Sequence, residues 1–109
     1  MIHQIPTPAL IVELDLFEAN LARMATHVKA AGKSLRPHFK AHKCPEIAKR
    51  QIALGAIGVC CATVPEAELV ASAGITGILL TSPLADPLKM ARVIATGAMV
   101  VVDHAQQAE

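Results

Sequence analysis

Three permanent cations and two imidazoles crowd into the segment Arg36-Pro37-His38-Phe39-Lys40-Ala41-His42-Lys43. A lysine amine that is partly shielded from water and set among other cations becomes a usable Schiff-base nucleophile. Lys40 is the candidate for that role, with Arg36, His38, His42 and Lys43 supplying its surroundings. Six of the ten Lys and Arg residues fall between Lys33 and Arg50. Such a patch also suits a phosphate, either of a cofactor or of a nucleic acid. Phe39 is its one aromatic, so no base-stacking series is present and nucleic acid is not expected as a partner. The bland alternative is a loop of solvated charges.

Other residue types with chemical potential are weaker candidates. His38, His42 and Glu46 recur at intervals of four and would share a face on a continuous helix. Pro45 disfavours helical geometry at Cys44, and no H-E-x-x-H occurs, so no metal ligand is assigned in this chain. Cys60 and Cys61 point to opposite faces if they lie in a strand, and neither has an activating base nearby in sequence. Glu66 and Glu68 read as helix cap and helix surface. Thr81-Ser82-Pro83 reads as a turn that could reach the same face as Lys40.

The elements that must position these groups alternate. Gly32, Gly55, Gly74 and Gly97 each close a helical stretch and precede a short apolar run, the signature of an α-to-β connection. The spacing predicts helices near 15–31, 45–54, 65–73 and 87–96. Asp15 with Glu18 and Thr63 with Glu66 have capping-box spacing. Cys44 before Pro45 and Asp86 before Pro87 mark two further starts, and Asp103 marks a helix that is cut short. Strands are expected near 34–38, 57–62, 77–81 and 98–102, with an extra one at residues 9–13. Gly77-Ile78-Leu79-Leu80 does not alternate, as expected of a parallel strand buried on both faces.

Parallel βα units fit an open doubly wound sheet or a (β/α)8 barrel. No G-x-G-x-x-G follows a strand, which argues against a dinucleotide site. A barrel normally needs about 250 residues and eight units; about four are seen, so the chain would be roughly half of one. Lys40 would then stand just past the first repeating strand, on the face where barrel enzymes keep their active sites.

Bulk properties set the background. A chain of 109 residues, 53% hydrophobic, has room for one domain with a core. A net charge of +1 gives no general attraction to acidic partners. Three cysteines fit no disulfide framework and read as free thiols of the cytoplasm. The start Met1-Ile2-His3-Gln4 has no leader pattern, and no apolar run reaches the roughly 18 residues of a membrane span. A soluble, cytoplasmic protein with no membrane partner is expected.

The run from Thr7-Pro8-Ala9-Leu10-Ile11-Val12 through Leu35-Arg36-Pro37-His38-Phe39-Lys40-Ala41-His42-Lys43-Cys44-Pro45-Glu46-Ile47-Ala48 resembles the D-threonine aldolase and D-serine dehydratase family. Nearly the whole chain takes part, and the R-P-H-x-K-x-H-K element is its most specific feature. Gly58-Val59-Cys60-Cys61 followed by Glu66-Ala67-Glu68 looks especially like the aldolases. Ala62-Thr63 and Ile78-Leu79-Leu80-Thr81-Ser82-Pro83-Leu84 lean toward the dehydratases.

The resemblance implies an α/β fold, the N-terminal portion of a TIM-type barrel of the alanine racemase N-terminal domain kind, across residues 1–109. Residues 9–13 would belong to a C-terminal β-domain outside the chain. It implies pyridoxal 5'-phosphate held covalently by Lys40, with Arg36, His38 and His42 beside it. A divalent metal (Mn, Mg or Zn) would be bound by residues beyond this chain, and the full-length enzyme would be a homodimer. The implied substrate is a D-3-hydroxy amino acid, cleaved to glycine and an aldehyde or dehydrated by β-elimination. A pyridoxal-phosphate carrier without turnover shares the barrel but lacks the β-domain, so a strand at residues 9–13 would favour the enzyme.

Overall fold

Residues 4–108 are described by the structure, a computed structural model. Four helices form where the capping and glycine pattern places them: α1 (Leu14–Ala30), α2 (Pro45–Ala53), α3 (Val64–Ser72) and α4 (Pro87–Ala95). Pro45, Pro65 and Pro87 stand in first turns, where a missing N–H costs nothing. Thr63 Oγ1 accepts from Glu66 N at 3.4 Å, and Asp86 accepts from Leu88 N at 2.9 Å. The four helix-closing glycines all have positive φ.

The expected capping box at Asp15 and Glu18 does not form. α1 starts on Glu13 without a side-chain cap, and the Glu18 carboxylate instead accepts from Arg50 of α2 at 2.7 Å. A guanidinium is a stronger partner than a backbone amide, so the tertiary contact wins. At the second box Glu66 Oε2 takes the N–H of Ala62, one residue earlier than expected, at 2.8 Å.

Three short strands, β1 (Cys60–Cys61), β2 (Leu79–Leu80) and β3 (Met99–Val100), pair in parallel in the order β1-β2-β3. Cys60 pairs with Leu79 and Leu79 with Met99. The expected strand at 34–38 is reduced to one parallel bridge, His38 to Cys60, flanked by bonds from Ile57 N to Leu35 O and from Cys60 N to Pro37 O. Pro37 brings no N–H to the ladder, which explains why this strand is the most fragmentary.

Residues 9–13 make no strand pairing among the described residues, and Leu10 is 95% exposed; a segment expected to pair with a β-domain outside the chain has no neighbour here. One other expectation is corrected. The helix expected to open at Asp103 is a 3-10 turn, Ala105–Gln107, capped by His104; so few residues cannot offset the cost of an α-helical nucleus. Met1–His3 and Glu109, on which part of the leader and helix readings rest, lie outside the described residues.

Side-chain alternation gives the sheet two unlike faces. Val59, Cys61, Ile78 and Leu80 are buried with Ala48 of α2, Val64, Ala67 and Val70 of α3, and Val93 of α4. On the opposite face Cys60 and Leu79 are half-buried and Met99 is exposed. Glu68 and Arg92 tie α3 to α4 through two bonds of 2.8 Å. That pairing holds the Glu68 carboxyl below its usual range. Among the described residues no helix is long and apolar enough to cross a membrane.

Candidate active site

The turn that carries Lys40 is built from the inside out. Phe39 is fully buried and joins the core cluster with Ala48 and Val59, so the chain is pinned one residue before Lys40. Residues Phe39–Ala41 form a single 3-10 turn, closed by His42 N and Lys43 N on the Phe39 carbonyl at 3.2 and 2.8 Å. Lys40 itself is exposed at the top of this turn. It follows His38, the last paired residue of the first parallel segment, and therefore stands at the C-terminal edge of the sheet.

His38 links that turn to the neighbouring strands. Lys40 N donates to His38 Nδ1 at 3.3 Å, and His38 Nε2 lies 3.3 Å from Thr81 Oγ1. Thr81 donates its hydroxyl proton to the Cys61 carbonyl at 3.1 Å. One assignment satisfies all three bonds: Nδ1 accepts, and Nε2 carries the proton and donates to Thr81. The imidazole thus bridges the Lys40 turn, the end of β1 and the end of β2. Thr81→Val is expected to lower stability by about 1 kcal/mol, since it removes the acceptor of a part-buried bond. A denaturant titration checks this.

Arg36 and His42 occupy other surroundings. The Arg36 guanidinium donates to the Gly77 carbonyl, passing β1 to reach the segment that leads into β2. Gly58 lies against Gly77 and carries no side chain to obstruct that path. His42 turns into the fold, edge-on to Phe39 with ring centroids 5.3 Å apart, and its Nδ1 accepts from Cys44 N at 3.1 Å. Burial holds the His42 imidazole below the ordinary histidine range. Its Nε2 and the Gln51 Oε1 are buried without a hydrogen bond, one a donor and the other an acceptor.

The four residues expected around the cofactor therefore separate. Lys40 and His38 meet at the sheet edge, Arg36 crosses the sheet below them, and His42 packs beneath the turn. His38, His42 and Glu46 do not converge, and Glu46 pairs with Lys49 at 3.1 Å. Among the described residues no three metal-ligating side chains cluster.

The cysteine pair divides as alternation requires. Cys61 is buried in the core, where burial first, then Glu66 and Cys60, push its thiol up to about 12. Cys60 is half-buried on the other face, with its sulfur 3.6 Å from the Arg36 carbonyl.

Sequence reasoning missed the part played by four residues. Glu66, read as a cap, is 6% exposed, and its Oε1 lies 3.4 Å from Lys43 Nζ. Thr81, read as a plain turn, holds His38. Gly58 and Gly77 lie against each other with no room for a Cβ on either; isolated glycines inside strand patterns were the signal available for them.

The alanine racemase N-terminal domain family matches residues 12–109. The D-threonine aldolase of Arthrobacter sp. is 48% identical over 88 residues, which are 81% of this chain and 23% of that protein. The D-threo-3-hydroxyaspartate dehydratase of Delftia sp. strain HT23 is 42% identical over 79 residues, 72% of this chain and 21% of that protein. The crystal structure of D-threonine aldolase from Filomicrobium marinum superposes with a TM-score of 0.91 at 46% identity, over 94% of this chain and 29% of that one. The chain thus spans about a quarter of the length of the relatives it matches.

Proposed function

From the premise that the chain belongs to the alanine racemase N-terminal domain family, we propose that it is the cofactor-anchoring part of a pyridoxal-phosphate-dependent lyase acting on D-3-hydroxy amino acids. One observation carries the reading. Lys40 projects from a turn pinned by the fully buried Phe39 and tied to His38, at the C-terminal edge of a parallel sheet. That edge is where barrel enzymes assemble their active sites.

The residues fit the covalent end of the cofactor. Among the described residues the Lys40 side chain makes no ion pair or hydrogen bond, and its backbone N–H donates to the oriented His38 imidazole. They do not fit the phosphate, because Arg36 already donates to Gly77 and His42 is packed inward. The phosphate site and the ligands of any divalent metal are therefore assigned to residues beyond this chain. When bound, pyridoxal phosphate supplies an electron sink for the bond broken at the substrate α-carbon. The chain's own contribution is to hold the lysine in place, to orient His38 and to fix the sheet edge beneath them. Among the groups described here His38 has the position to hold a proton near that edge, at Nε2.

The expected reaction is retro-aldol cleavage to glycine and an aldehyde, supported by the similarity to the Arthrobacter and Filomicrobium D-threonine aldolases. A second reading, β-elimination, is favoured by the Delftia dehydratase, at 42% identity. The two reactions require different bonds to be aligned, and small misplacements change rates by orders of magnitude, so one product should dominate. With D-threonine and Mn²⁺ or Mg²⁺, the full-length protein is expected to release glycine and acetaldehyde faster than 2-oxobutanoate. Predominant 2-oxo acid and ammonia would establish the dehydratase. No product from any D-hydroxy amino acid, despite cofactor on the lysine, would establish a carrier.

A further inference from the structure

Lys43 is the one non-glycine with positive φ among the described residues, at 51°. It ends the Phe39–Ala41 turn, donating its N–H to the Phe39 carbonyl at 2.8 Å. This is the position after a helical cap where glycine is the natural occupant, because a Cβ is strained there. A side chain carried on a backbone conformation it disfavours directs attention to what that side chain contacts.

The Lys43 side chain meets an unusual partner. Among the described residues Glu66 is the one charged residue that is buried, with its side chain 7% exposed against 66% for Lys43. A carboxylate out of water needs hydrogen bonds and a cation. Glu66 Oε2 has the Ala62 amide at 2.8 Å, and Oε1 has the Lys43 ammonium at 3.4 Å. Ala62 follows β1 directly, and Glu66 lies in the first turn of α3, which Thr63 caps. The ion pair thus ties the far end of the Lys40 turn to the end of β1, while His38 ties its near end to β2 through Thr81.

We propose that Lys43 and Glu66 form a clamp that positions Lys40 for attachment to the cofactor, a role that rests on the reading of Lys40 given above. Both act through the turn and neither is a catalytic residue. Glycine at 43 suits the backbone and removes the tether, so Lys43→Gly tests the clamp, with a melting curve to show that the fold survives the loss of the cation beside Glu66. Glu66→Gln keeps an acceptor for Ala62 but loses the charge.

The test uses the full-length protein in two measurements. The first is amide hydrogen exchange of residues 40–43 in the cofactor-free form; the second is the rate of pyridoxal-phosphate incorporation, trapped by borohydride. Lys43→Gly and Glu66→Gln are each expected to speed exchange and slow incorporation by roughly tenfold, whereas Lys43→Arg retains both. Unchanged exchange would overturn the clamp, and faster exchange with unaltered incorporation would overturn its positioning role. Incorporation that persists in Lys40→Ala would instead remove the assignment of Lys40, leaving the exchange result to judge the clamp alone.

Discussion

Lys40→Ala is expected to abolish covalent retention of pyridoxal phosphate in the full-length protein and to cut lyase activity by roughly three orders of magnitude or more, as loss of a covalent catalyst does. The fold should be indifferent. Lys40 is exposed, and among the described residues its side chain makes no bond; only its backbone N–H contacts His38. Stability should stay within about 0.5 kcal/mol of the parent, the usual range for a surface substitution. Visible absorbance of the lysine-bound cofactor and a melting curve, taken on the same sample, separate the two effects. Loss of both would mean that Lys40 is structural.

Gly58→Ala should do the reverse and destroy the fold. Gly58 has φ 140°, a conformation L side chains rarely adopt, and a Cβ there would lie 2.6 Å from the Gly77 carbonyl carbon and 2.8 Å from its Cα. Both obstacles are backbone, so no side chain can swing away. The backbone strain and the overlap together should cost roughly 4 kcal/mol or more, a large part of a typical domain's stability. The same substitution would displace the Gly77 carbonyl that accepts from Arg36. Circular dichroism of the variant should show lost or molten structure. A native-like melt would mean that the close approach of these two segments can relax.

The helices were legible because their signals are local. Caps such as Thr63 and Asp86, prolines in first turns and glycines at the ends act over three or four residues. The parallel sheet followed from the alternation of elements, and so did the place of Lys40 just past its first segment, whereas the role proposed for Lys40 rests on the family resemblance. What sequence could not show was which partner each polar side chain would take. Glu18 chose Arg50 over its own helix start, Arg36 chose a carbonyl on a distant segment, and His42 chose Cys44 and Phe39 over the site. Those choices depend on residues far apart in the chain. Residues 9–13 stand unpaired for a related reason, since pairing is a property of two segments and the expected partner of this one lies outside the chain.

The alanine racemase N-terminal domain match and the D-threonine aldolase superposition support the barrel assignment across nearly all of the chain. The Lys40 turn, anchored by the buried Phe39 and tied to His38, has the fixed backbone that the proposed attachment point requires.

Borohydride reduction of the full-length protein with pyridoxal phosphate, followed by peptide mapping, tests the central assignment most directly. The pyridoxyl group is expected on Lys40. A pyridoxyl group on Lys33 or Lys43 would contradict it.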